Sequence, residues 1–140
     1  MVVLDTNVLS ALMRPSLNSQ VVAWLDARPP ESIWTAAVCV FEVRHGLERL
    51  PVGRRRAGLE EAFDAMLGED MGGRVLPFDA TAADEAGRLG AELEARGRTV
   101  DMRDVLIAGT VRARNATLAT RNVSHFEHAG VQVVNPWDAP

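Results

Sequence analysis

The chain alternates short apolar runs with stretches patterned for helices, and the first run, Val2-Val3-Leu4, stops on the carboxylate of Asp5. Runs this short, with no polar residue alternating along them, are buried on both faces, as strands of a helix-covered parallel sheet are. Further strand candidates are Ser32-Ile33-Trp34-Thr35, Arg74-Val75-Leu76, Thr117-Leu118-Ala119-Thr120 and Val131-Gln132-Val133-Val134. Helical spacing fills most of the intervals, over about residues 7–13, 18–27, 37–50, 54–67, 81–96 and 101–114, with a further short helix expected at 125–129. Val21, Val22 and Leu25 should face inward on the second of these, and Ala82, Ala86, Leu89 and Leu93 on the fifth. The segment Ala36-Ala37-Val38-Cys39-Val40-Phe41 is apolar almost all round, which predicts a helix buried on every side. Helices alternating with short strands predict an α/β fold in three α/β/α layers around a central, mostly parallel sheet. At 140 residues, 1–140 reads as one domain that buries roughly two-thirds of its unfolded surface.

Against that apolar background three acids need a reason. Asp5 ends the first strand, Glu42 interrupts the most apolar helix, and Asp104 opens the helix before a later strand. Each has a local explanation: a helix cap for Asp5, an ion pair with an arginine for Glu42, and a first-turn position behind the cap Asp101 for Asp104. Ligands in open parallel sheets gather beyond the carboxyl ends of the strands, and the order of segments brings all three acids toward that edge. Converging carboxylates repel one another. All fifteen basic residues are arginine, so no ammonium group can relieve the repulsion. A hard divalent cation can, and Mg²⁺ or Mn²⁺ suits an all-oxygen set. Zinc suits it less, because His45, His125 and His128 form no familiar ligand spacing with one another or with Cys39.

Missing lysine also removes function classes. A phosphate-binding loop of the Gly-Lys-Ser/Thr type, a Schiff-base enzyme and a protein kinase all need that residue. The formal charge of −4 argues against a protein that grips nucleic acid by charge alone, yet leaves room for a nuclease using metal ions and a local arginine patch. The run Arg54-Arg55-Arg56 reads either as such a patch or as a solvated helix face. The lone cysteine, Cys39, reads as a packed thiol in a reducing compartment, and no apolar run approaches the roughly 20 residues that span a membrane. A soluble cytoplasmic protein is expected.

Four ordered motifs then carry a resemblance: Leu4-Asp5-Thr6-Asn7-Val8-Leu9, Phe41-Glu42-Val43-Arg44-His45-Gly46, Asp104-Val105-Leu106-Ile107-Ala108, and Ala119-Thr120-Arg121-Asn122-Val123 followed by Phe126 and Val134-Asn135-Pro136-Trp137. In these the chain resembles, over essentially its whole length, the PIN-domain ribonucleases, and among them the VapC-type toxins of bacterial toxin–antitoxin pairs, especially the FitB-like branch. The resemblance implies a PIN-like fold and metal-dependent hydrolysis of RNA phosphodiester bonds. It makes Asp5, Glu42 and Asp104 the catalytic, metal-binding acids and Thr6 and Thr120 supporting hydroxyls, with Arg121 and Asn122 near the substrate. Asn122 stands where some relatives carry aspartate, and His125 replaces another acid of that loop, so the chain should depend mainly on one strongly held ion. The implied partners are RNA, a small VapB- or FitA-like antitoxin that covers the acidic pocket, and a second copy in a homodimer that assembles further with antitoxin. Operator DNA would be reached only through the antitoxin.

Three rivals follow from the same residues. A phospho-acceptor domain built on Asp5 would want a lysine, which is absent. A catalytically degenerate PIN-fold binding module is disfavoured by the presence of all three acids. A metal-dependent DNA nuclease differs in substrate alone.

Overall fold

The computed structural model describes residues 1–138. Five strands, β1 (Val2–Leu4), β2 (Ile33–Ala36), β3 (Val75–Leu76), β4 (Thr117–Ala119) and β5 (Gln132–Val134), form one sheet in the order β3-β2-β1-β4-β5. Every neighbouring pair is parallel. Parallel strands require crossover connections, and six helices supply most of that chain: α1 (Thr6–Leu12), α2 (Ser19–Asp26), α3 (Ala37–Glu48), α4 (Arg54–Ala65), α5 (Ala80–Ala95) and α6 (Met102–Ala113). The α/β/α architecture read from the alternating pattern is the one observed.

Register puts the site residues level with one another. Leu4 lies opposite Thr35 on one side and Ala119 on the other. The next residues, Asp5, Ala36 and Thr120, therefore share the carboxyl edge at the middle of the sheet. Beneath them Val3, Leu4, Leu118 and Ala119 are fully buried. That rigid layer fixes where the carboxyl edge begins.

On the α5–α6 side the packing is unusually close. A Cβ on Gly109 would stand 2.6 Å from the Ala86 Cβ and 2.8 Å from the Ala82 carbonyl oxygen. Only a glycine lets α6 approach α5 to this distance. Gly97, at φ +69°, turns the chain after α5, and Asp101 caps α6 by accepting from the Asp104 N–H at 3.2 Å.

The structure corrects several local expectations. On α3, Cys39, Val43 and Leu47 are buried, but Phe41 is 57% exposed and stacks on the His45 ring, so the helix is not covered on every side. The short helix expected at 125–129 is a 3-10 turn at Val123–Phe126, because the segment is too brief to close successive α-type hydrogen bonds. The helix expected to end near 67 stops at Ala65 and continues as a π-type turn, Met66–Asp70, with the Met71 N–H reaching the Met66 carbonyl at 2.9 Å. On α2, Val21 and Trp24 form the buried face, with Val22 and Leu25 only half-buried; on α5, Ala82, Ala86 and Leu89 are buried and Leu93 half-buried. The arginine run divides: Arg56 pairs with Glu48 and Glu60 at 2.6 Å each, whereas Arg54 and Arg55 make no ion pair among the described residues. None of the helices described is long and apolar enough to cross a membrane.

Candidate metal centre

Asp5 is placed by the sheet and oriented by the helix. Its backbone N–H donates to the Ala119 carbonyl at 2.9 Å, extending the β1–β4 ladder, and its side chain then caps α1 by accepting from the Thr6 N–H at 2.7 Å on Oδ1. Capping is thus a correct local explanation of Asp5, and an incomplete one. The carboxylate is 5% exposed, and its Oδ2 accepts from the Thr120 hydroxyl at 2.7 Å and from Asn7 Nδ2 at 3.3 Å. Such donors make an ionised carboxylate tolerable where water is scarce.

Thr6 links this acid to the second. Its hydroxyl donates to Glu42 Oε1 at 2.9 Å while its N–H holds Asp5. Ligand-type atoms of Asp5, Glu42 and Cys39 all lie within 4.8 Å of one another. The Cys39 thiol sits 3.9 Å from Asp5 Oδ1 and is pushed up to about 12, by burial first and by the Asp5 charge second. It remains a thiol at neutral pH. A soft sulfur ligand is accordingly not on offer, and the oxygen donors define the chemistry.

Asp104 lies outside that tight group but in its electrostatic reach. Its carboxyl is raised above the usual aspartate value by burial, then by Asp101, with Asp5 and Glu42 adding to the effect and His125 opposing it. His125 Nδ1 stands 3.4 Å from Asp104 Oδ2. The arginine pairing foreseen for Glu42 also occurs, with Arg103 Nη1 at 3.4 Å from Oε2, although Arg103 is largely solvated. One exposed guanidinium does little to offset the Asp5 and Glu42 carboxylates with Asp104 in their electrostatic reach. A hard divalent cation with oxygen ligands and retained waters fits this donor set.

The remaining expected residues fall around the same edge. Thr120 is fully buried; besides donating to Asp5, its oxygen accepts from Asn7 Nδ2 at 3.2 Å and from the Asn122 N–H at 3.0 Å. Arg121 is exposed, with its guanidinium 4.8 Å over the Trp137 ring and its N–H donating to Asn7 Oδ1 at 3.1 Å. The Asn122 side chain is exposed and does not cap the turn it precedes. Asn7 enters the sequence reading only as part of the first motif; its amide ties the start of α1 to the loop after β4. The adjacency of β1 and β4 is the missing signal, and no local pattern carries it. Arg103 and Cys39 were missed as neighbours of the acids for the same reason.

The PIN domain family model matches residues 2–131. The chain is 38% identical to VapC ribonuclease Y4jK of Sinorhizobium fredii, covering 99% of both chains, and 36% identical to Toxin FitB of Neisseria gonorrhoeae, covering 98% of this chain and 99% of that one. Among solved structures, FitAB bound to an IR36 DNA fragment superposes with a TM-score of 0.89 at 35% identity, over 100% of this chain and 98% of that one. Sheet order, acidic edge and near full-length likeness agree: the chain belongs to the PIN-domain family, alongside the VapC and FitB toxins.

Proposed function

We propose that the protein is an endoribonuclease requiring Mg²⁺, with Mn²⁺ as its substitute, and that it serves as the toxin of a toxin–antitoxin pair. One observation carries the reading: Thr6 clamps Asp5 and Glu42 together at the carboxyl edge of a parallel sheet, in a chain related to a named ribonuclease and a named toxin. Asp5 and Asp104 would hold the ion directly, and Glu42 would join them or orient a water. When bound, a divalent ion offsets the carboxylate repulsion, lowers the pKa of water and polarises a phosphoryl oxygen.

The chain's own residues prepare that chemistry. Thr120, Asn7 and the Thr6 N–H hold the Asp5 carboxylate in one orientation. Thr6 Oγ1 occupies Glu42 Oε1, so Oε2 is the oxygen left to orient water or meet Arg103. The Arg121 guanidinium, exposed beside the Thr120 loop, is available to a substrate phosphate. No covalent intermediate on the protein is needed.

The likeness to a FitAB assembly on DNA supports a small antitoxin partner, with DNA reached through that partner, and a homodimer completes the reading. The buried free thiol of Cys39 is consistent with a cytoplasmic location. The test is incubation of antitoxin-free protein with structured and unstructured RNAs and matched DNAs, in Mg²⁺, Mn²⁺ or EDTA, beside Asp5→Asn. RNA cleavage that needs the metal and is lost in the variant is the expected result. Cleavage of DNA alone would favour the DNA nuclease, and binding without cleavage the degenerate module.

A further inference from the structure

A cleft of about 460 Å³ opens beside the acidic centre, between the end of α5, the start of α6 and the 3-10 turn Val123–Phe126, and Asp104 and His125 form its shared wall. Its floor is hydrocarbon: Val105 and Phe126 are buried, and Leu93 half-buried. Arg98, Ser124 and His128 stand on its rim. We propose that this cleft is the subsite for a ribonucleotide flanking the scissile phosphate, with the base on the Leu93–Phe126 floor and the next phosphate at Arg98 and His128.

Three observations single out a nucleotide. The volume falls within the range of small-ligand pockets, about 300–1,000 Å³, and admits a base with its sugar and phosphate. A cation is free for a phosphate: although Asp101 and Asp104 also line the cleft, no acid among the described residues pairs with the Arg98 guanidinium, and His128 has only Glu127, at 3.8 Å, beside it. An apolar floor under a rim of N–H donors matches a base carrying a phosphate, since flat rings gain from apolar contact while the phosphate needs donors. Continuity supplies the third. Because Asp104 faces Asp5 and Glu42 electrostatically and also lines this cleft, a strand cut at the acids passes directly into it.

Ser124 and Thr99, the hydroxyl-bearing residues of the lining, offer partners to a ribose 2′-OH, the group that distinguishes RNA from DNA. Ser124 and Thr99 therefore set the preference for ribose, while Arg98 and His128 hold the phosphate. As a statement about the flanking nucleotide of a cut strand, the inference rests on the ribonuclease reading above; the binding it asserts is measured separately.

The experiment has two arms. In the first, AMP, GMP, CMP and UMP are titrated into the full chain in EDTA, with His125 and His128 ring resonances followed by NMR, beside dCMP and inorganic phosphate. Saturable shifts of both rings by at least one ribonucleotide are expected, with at least threefold weaker binding by the deoxynucleotide and at least tenfold weaker binding in Arg98→Gln/His128→Ala. In the second, the same double variant is assayed on RNA, with a rise in KM of about tenfold and kcat within threefold of wild type. Absence of shifts, equal binding by phosphate alone, or unchanged affinity in the folded variant overturns the subsite. Nucleotide binding without any RNA cleavage by the wild type would instead remove the ribonuclease reading and keep the binding site.

Discussion

The Thr120 hydroxyl donates a 2.7 Å hydrogen bond to Asp5 Oδ2, joining two buried residues 115 positions apart in the chain. It places the end of β4 against the end of β1 and leaves the Asp5 carboxylate one fixed orientation. Thr120→Val keeps the shape and removes the donor, leaving Oδ2 with the longer 3.3 Å bond from Asn7. Outer-shell partners of metal ligands typically tune affinity by about 10–100-fold. The expected outcome is Mg²⁺ binding weaker by about that factor, read by calorimetry, in a variant whose circular dichroism is unchanged.

Gly109→Ala tests the close approach of α5 and α6. Alanine favours an isolated helix by about 1 kcal/mol, but here its Cβ meets the Ala82 carbonyl at 2.8 Å, and backbone cannot swing aside as a flexible side chain can. Overpacking of this kind costs about 1–3 kcal/mol, so the clash outweighs the propensity gain. A lower melting temperature is expected, along with weaker nucleotide binding in the cleft that both helices wall. Gly87→Ala, where a Cβ meets nothing within 4 Å, should melt at or above wild type.

The raised Asp104 carboxyl predicts that its charge opposes folding stability. Charge in the first turn of α6 gains about 0.3–1 kcal/mol from the helix dipole, yet burial and the facing acids raise its carboxyl above 3.8 in net. In the window just above 3.8 the folded chain therefore holds more protons than the unfolded one, and stability falls as pH rises. Asp104→Asn should consequently melt higher than wild type at pH 7 in EDTA, with the advantage vanishing below 3.8. Saturating Mg²⁺ should reverse the order, because only the wild type gains binding energy. Melting curves across pH, with and without metal, check both signs.

Cys39 should behave as buried hydrocarbon. With the thiol fully buried and pushed up to about 12, iodoacetamide at pH 8 should leave the native chain unmodified and label it only once denatured, a contrast read by mass spectrometry. Rapid labelling of the native state would mean that α3 opens at its first turn.

Val2–Leu4 and Val75–Leu76 were legible because each is a short apolar run closed locally, the first by the cap Asp5 and the second by Pro77. Phe41 was misread for a physical reason: hydropathy gives its face of α3 as apolar, yet it is 57% exposed, with the His45 ring stacked on it. The three acids stood out because carboxylates are costly in apolar surroundings. Their partners did not. The links from Asn7 to Thr120, from Cys39 to Asp5 and from Arg103 to Glu42 arise only through strand order and the docking of α3 against α6, which no residue spacing encodes.

The central claim is that Asp5, Glu42 and Asp104 together hold one strongly bound divalent ion, with exposed Asn122 supplying no charge for a second. Calorimetric titration of Mn²⁺ into the metal-free wild type and into Asp5→Asn, Glu42→Gln, Asp104→Asn and Asn122→Asp measures this directly. One tight equivalent in the wild type is expected, weakened at least tenfold in each of the first three variants, with a second equivalent strengthened in Asn122→Asp. Wild-type affinity in any of the first three, with the fold intact, or two equally tight ions already in the wild type, would contradict the account.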